Sequence, residues 1–180
     1  ELALPARLAF QSSLNADRIA CRGIDNLDAW DSAYASELGY VIKLLAIGRA
    51  DENRLQLRVA PTLVQKGHPL GQVQGEYNAI QVVGHAVGDT FFEGRGAGMM
   101  PTASAVVSGI LDLAVGRAQA TFRSLRLWDP DPPGPRFEPE SYLRSRFYLR
   151  FAVCDQPGAM AKLAGILGNH GISISSIIHH

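Results

Sequence analysis

The period of the apolar positions changes twice along this chain, and each change marks a new kind of element. Leu2, Leu4, Leu8 and Phe10 read as an apolar face from the first residues onward, with Pro5 compatible with a helix start but not with a helix interior. Leu27, Trp30, Tyr34 and Leu38 follow at spacings of three and four, the repeat of an amphipathic helix with Asn26 as its cap and Gly39 as its stop. Asp28, Asp31 and Glu37 in the same segment read as its solvated face. After Gly39 the period falls to two. Tyr40 to Ile47 is rich in branched residues, Ala50 to Asn53 reads as a turn, and Leu55, Leu57 and Val59 alternate with Gln56 and Arg58, which predicts a β-hairpin. Pro61 to Pro69 reads as irregular. A second strand pair is predicted over Ala79 to Val83 and Val87 to Glu93, joined across Gly84-His-Ala86. A helix from Pro101 carries Ala105, Val106, Ile110, Leu113 and Ala114 on one face to about Ala118, with Gly109 as its weak point. The fold class that follows is α+β, with a mixed, largely antiparallel sheet flanked by helices.

The pattern breaks at Trp128. Asp129-Pro-Asp-Pro-Pro-Gly-Pro135 holds four prolines in seven residues, a stiff extended stretch that divides the chain. Residues 1–122 form the first unit, 123–144 the Pro-rich linker and 145–180 a second unit. In the second, Arg146 to Val153 alternates as a strand, Asp155-Gln-Pro-Gly158 is a turn, Ala159 to Asn169 is a helix, and Gly171 to Ile177 is a strand. A two-stranded unit of this size cannot bury enough apolar surface to stand alone, so it reads as half of a domain.

Composition narrows the function classes. With 180 residues, 47% of them hydrophobic, the chain can bury a core. Seventeen basic residues balance seventeen acidic ones, which leaves no field for capturing nucleic acid or an anionic membrane. Cys21 and Cys154 are the only cysteines and match no metal or disulfide spacing, in keeping with a reducing, cytoplasmic setting. No apolar run approaches the roughly 20 residues that span a bilayer, and the first residues lack the pattern of a secretory signal. The chain therefore reads as soluble.

The candidate chemistry centres on Gly94-Arg-Gly-Ala-Gly98, which runs into Met99-Met-Pro-Thr-Ala-Ser-Ala-Val-Val107. Glycines at alternate positions remove the Cβ atoms that would keep a ligand from the backbone, and the free N–H groups at a helix start favour an anion. The plainer account is a strand-to-helix connection that needs glycine for its own geometry. Lys66 and His68 read as a solvated loop without an acid partner, and Asp89 with Glu93 as a polar strand edge. His179-His180 reads as a truncated strand end or a tag remnant and not as a metal pair. No metal site is expected.

Taken in order, Leu38-Gly-Tyr-Val-Ile-Lys-Leu-Leu-Ala-Ile47, Arg58-Val-Ala-Pro-Thr-Leu-Val64 with Gly67-His-Pro-Leu70, Asn78-Ala-Ile80, and Gly94-Arg-Gly-Ala-Gly98 with Pro101-Thr-Ala-Ser-Ala-Val-Val107 resemble homoserine dehydrogenase over most of residues 1–118. Phe147-Tyr-Leu-Arg-Phe-Ala-Val-Cys-Asp-Gln-Pro-Gly-Ala159 with Asn169-His-Gly-Ile-Ser-Ile174 resembles the first half of an ACT domain, the ligand-binding module that many bacterial homoserine dehydrogenases carry behind their catalytic part. The first resemblance implies interconversion of L-aspartate 4-semialdehyde and L-homoserine with NADP or NAD, on the route to threonine and methionine. It implies a homodimer or higher homo-oligomer through the sheet domain, and places Gly98, with Gly96 as its neighbour, beside the cofactor. The second implies an amino-acid effector such as threonine, held near Asp155, Gly158 and Ala159.

Two departures bear on catalysis. No strand followed by G-x-G-x-x-G and a ribose-binding acid is present in the chain. The family's catalytic Lys falls at Glu1, and a carboxylate cannot replace an ammonium in polarising a carbonyl. The chain by itself is therefore expected to contain no catalytic residue, and a non-catalytic amino-acid-sensing or dimerisation protein that keeps the fold is the alternative.

Overall fold

The computed structural model describes every residue except Glu1, Ser13, Glu52, Leu127, Trp128, Pro130, 131–133, 139–144, Asp155, His179 and His180. The readings made for Glu1, Asp155, His179-His180 and much of the Pro-rich stretch lie outside the described residues. The chain forms α1 (Ala3–Phe10), β1 (Ala20–Cys21), α2 (Ala29–Glu37), β2 (Tyr40–Asp51), β3 (Arg54–Gln65), α3 (Pro69–Gln72), β4 (Tyr77–Gly84), β5 (Gly88–Arg95), α4 (Met99–Ala114), α5 (Arg117–Ser124), β6 (Arg136–Phe137) and α6 (Ala159–Asn169). Helices and a mixed sheet are both present, as the α+β reading expects.

The long hairpin β2–β3 is the frame. Its antiparallel register runs from Tyr40 opposite Gln65 to Asp51 opposite Arg54. The two-residue strands β1 and β6 add parallel pairs to β3, at Arg58–Val59 and Arg54–Leu55 respectively. Contrary to the irregular reading of residues 61–69, β3 continues through Pro61 to Gln65. Beyond Val59 only β2 borders β3 among the described residues, and an open edge is where a strand tolerates proline.

Against this sheet α1 buries Ala6, which packs with Leu55 and Leu57, ringed by Leu2, Phe10, Leu14, Ile19 and Phe137. The buried stripe of α1 is thus Leu2, Ala6 and Phe10 at spacing four, while Leu4 and Leu8 of the expected face are exposed. Pro5 sits in the first turn, where its missing N–H has no intrahelical partner to lose. The Pro-rich stretch rejoins the same unit at its end. Gly134 donates to the Gln11 carbonyl at 3.1 Å, Ser12 Oγ donates to the Pro135 carbonyl at 2.7 Å, and β6 follows directly.

Helix α2 inverts the sequence expectation. Its cap is Asp28, not Asn26, in a capping box closed by Asp31. Trp30, read as part of the apolar face, is exposed and stacks on Tyr34 at 6.1 Å, whereas Asp31 and Ala35 are the buried pair. Asp31 is only 4% exposed, so it is no part of a solvated face.

β4 and β5 form a separate two-stranded sheet, close to the predicted spans. The apolar helix begins at Met99, two residues before Pro101, and breaks after Ala114 at Gly116, the chain turning by 82° into α5; Gly109 is simply helical. No single helix among the described residues is long and apolar enough to cross a membrane. Over residues 145–178, α6 matches its predicted span, but the strands expected over Arg146 to Val153 and Gly171 to Ile177 are not formed. A strand exists through its ladder, and no described strand borders either run.

Candidate functional site

The turn between β5 and α4 places Gly96 and Gly98 in one loop, as the sequence expects. Gly98 is the N-cap of α4 with φ +111°, a backbone region that side chains rarely enter, and its carbonyl accepts the Thr102 N–H at 3.2 Å. A Cβ at Gly94 would meet nothing within 4 Å, and one at Gly98 only the Pro101 ring, at 3.6 Å. The first turn of α4 carries no acid, and its Met99 and Met100 are exposed, which leaves the positive end of the helix open. This backbone surface suits a flat or anionic group approaching from solvent.

The start of β4 holds the loop from the other side. The Gly96 N–H donates to the Glu76 carbonyl at 3.3 Å, and Arg95 Nε lies 3.1 Å from Glu76 Oε1. The Arg95 guanidinium also lies over the Tyr77 ring, 5.9 Å from its centre. Both charges of the ion pair are more than half exposed, so its value is in steering the loop and not in stability.

The remaining candidates fall elsewhere. Lys66 is not simply solvated: its ammonium donates to the carbonyl and hydroxyl of Ser36 at 2.9 and 2.8 Å, tying the β3–α3 loop to α2. His68 caps α3, with Nδ1 accepting the Leu70 N–H at 3.2 Å. Asp89 accepts from Gln81 Nε2 at 3.2 Å across the hairpin. Cys21 and Cys154 are free and exposed. Of the effector candidates, Gly158 is the N-cap of α6 and Ala159 its first residue, so the two meet at one helix start; Asp155 lies outside the described residues.

One polar cluster was missed by sequence reasoning. Tyr148 Oη donates to Asp31 Oδ1 at 2.9 Å, while Arg150 reaches Asp31 Oδ1 at 3.1 Å through Nε and Asp28 Oδ2 at 3.0 Å through Nη1. The capping box of α2 therefore works twice, closing its own first turn and clasping residues 148–150. Burial, then the bond to Asp31, pushes the Tyr148 hydroxyl up to about 12. The Arg150 guanidinium holds Asp28 below the usual carboxylate range. The spacing Asp28-x-x-Asp31 was legible as a capping box, but nothing local pointed to residue 148.

The glycine turn, its helix and the order of elements around them can be set beside known proteins. The sequence model of the homoserine dehydrogenase family matches residues 1–111. The chain belongs to the homoserine dehydrogenase family. It is 43% identical to the homoserine dehydrogenase of Synechocystis sp. over 187 residues, covering 99% of this chain and 43% of that protein. It is 36% identical to that of Neisseria gonorrhoeae, covering 99% of this chain and 42% of that protein. Among solved structures, a homoserine dehydrogenase from Thiobacillus denitrificans superposes with a TM-score of 0.78 at 32% identity, covering 98% of this chain and 42% of that one. That of S. aureus gives 0.59 at 41% identity, covering 63% of this chain and 29% of that one. The chain thus spans about two fifths of the length of the curated homoserine dehydrogenases it matches.

Proposed function

We propose that this chain supplies the substrate-binding and dimer-forming part of a homoserine dehydrogenase, which interconverts L-homoserine and L-aspartate 4-semialdehyde with NADP or NAD in the cytoplasm. The observation that carries the reading is the open backbone surface at Gly94 and Gly98, where a Cβ would meet nothing within 4 Å at Gly94 and only the Pro101 ring at Gly98. Such a surface admits a planar nicotinamide, with Gly98 as the contact and Gly96 beside it. The bound nicotinamide supplies hydride exchange, homoserine giving up a hydride and a proton. The chain's own part is to receive the ring and exclude water on that side.

The exposed area supports a part that works against another body. The chain exposes 13869 Å², where a globular monomer of this mass exposes about 8,500 Å². Val106, Val107, Ile110, Leu111 and Leu113 of α4 are each more than half exposed. A dinucleotide-binding unit and a second copy of the chain, as homodimer or higher homo-oligomer, are the proposed cover. Residues 1–122 then form the substrate and dimerisation unit, 123–144 the linker, whose strand β6 returns to pair with β3, and 145–180 half of an ACT-like regulatory unit taking an amino acid such as threonine. Gly158 and Ala159, at the open start of α6, together with Asp155, are the proposed contacts for its carboxylate.

A second reading is a dimerising or sensing protein without turnover, which Glu1 standing in the place of the family's catalytic Lys would favour. Homoserine-dependent reduction of NADP or NAD separates the two. The 180-residue chain alone is expected to show none, and the full-length protein to show it. Turnover by the chain alone would overturn the claim that its catalytic groups lie elsewhere, and no turnover by the full-length protein would favour the second reading.

A further inference from the structure

We propose that Asn78 is the positioning residue of the 94–98 loop, and that position 96 is glycine in order to seat it; the proposal rests on the reading of that loop as cofactor-facing. The β4–β5 register puts Asn78 opposite Gly94, and the Gly96 bond to the Glu76 carbonyl carries the same register one residue pair further. Because opposite residues share a face and alternate residues return to it, Glu76, Asn78, Gly94 and Gly96 lie on one face. Two polar side chains stand there against two residues that have none. The diagonal neighbour of Asn78 is Gly96.

The contact is close. A Cβ on Gly96 would fall on the Asn78 amide nitrogen and Cγ, well inside van der Waals contact, while the same point on Gly94 meets nothing within 4 Å. The Asn78 amide therefore lies directly over the Gly96 backbone. Tyr77 and Glu76, on either side of the preceding peptide, hold Arg95 through its guanidinium. Residues 76–78 thus grip residues 95 and 96, and Gly98 and the start of α4 at Met99 follow two and three residues later. Gly96 and Gly98 are glycine for different reasons. At Gly98 the φ of +111° strains any side chain whatever surrounds it, whereas at Gly96 the obstacle is one side chain that a second substitution removes.

That difference makes a double-mutant cycle decisive. In the full-length protein, N78A, G96A, N78A/G96A and G98A are compared for affinity toward NADPH or NADH, read by nucleotide fluorescence, and for thermal midpoint. G96A is expected to weaken nucleotide binding about tenfold and to lower the midpoint by about 3 °C, because Asn78 and the loop must part. N78A is expected to weaken binding about threefold, through a looser loop, and to leave the midpoint within about 1 °C. The double variant is expected to match N78A on both readouts. If G96A costs as much in the N78A background as in the original, Gly96 is needed by the ligand or the backbone and the proposal is overturned. If G96A and G98A move the midpoint but leave nucleotide affinity unchanged, the cofactor reading of the loop fails, and the proposal with it.

Discussion

Removing the Asp31 carboxylate tests whether the clasp on α2 holds the fold. In D31A the Asp28 N–H loses its 2.8 Å acceptor, so the capping box opens. Such a cap contributes about 1 kcal/mol. The half-buried Tyr148 hydroxyl loses its 2.9 Å bond to a charged acceptor, a bond worth about 2 kcal/mol. The Arg150 guanidinium is 40% exposed, so solvent screens its contact with Asp31 and that contact adds less. The expected loss is about 3 kcal/mol, or about 9 °C in the thermal midpoint of a chain of this length. D31N keeps the shape and an acceptor for the Asp28 N–H but gives up the charge, so about half that loss is expected. Calorimetry of the two variants reads both shifts. A D31A midpoint within about 1 °C of the parent would refute the reasoning, because Asp31 would then contribute nothing while buried. A D31N loss equal to that of D31A would refute the part assigned to shape.

Three further outcomes follow from the same structure. L55A opens a cavity between Ala6, Leu57 and their apolar ring, since Leu55 is fully buried, and is expected to lose about 3 kcal/mol in urea unfolding. Alkaline unfolding should carry the mark of Tyr148: the folded value of about 12 lies above the ordinary 10.0, so the unfolded chain ionises first. The clasp's contribution is therefore whole below pH 10 and lost between 10 and about 12, and Y148F should remove that part of the pH dependence. Asp28 runs the other way, its contribution present above the ordinary 3.8 and lost as the pH falls through its lowered value, which D28N should abolish.

Elements that depend on neighbours in sequence are legible in the chain itself. The change from period 3.6 to period 2 at Gly39, the two hairpins, the helix behind Gly98 and the helix Ala159–Asn169 are each written in a run of side chains and the residue that ends it. The ordered motifs over residues 38–107 also carried the family, because motif order is a property of the chain alone. Surface pattern was a poorer guide where a helix is small and crowded: α1 and α2 expose Leu4, Leu8 and Trp30 and bury Ala6, Asp31 and Ala35. Hydrophobicity says what would gain from burial, and not which face the sheet leaves room for.

The rest was decided in three dimensions. β1 and β6 are two residues long and have no pattern of their own; they are strands because β3 offers an edge. The runs at 146–153 and 171–177 have the alternation of strands, yet no described neighbour completes a ladder, so pattern without a partner left them unpaired. Asp31 is buried because Tyr148 and Arg150 arrive from more than a hundred residues away, which no local spacing encodes. Gly96 carries the same lesson at short range. Its sequence marks a place without a side chain, and only the register of β4 against β5 shows that the Asn78 amide fills it.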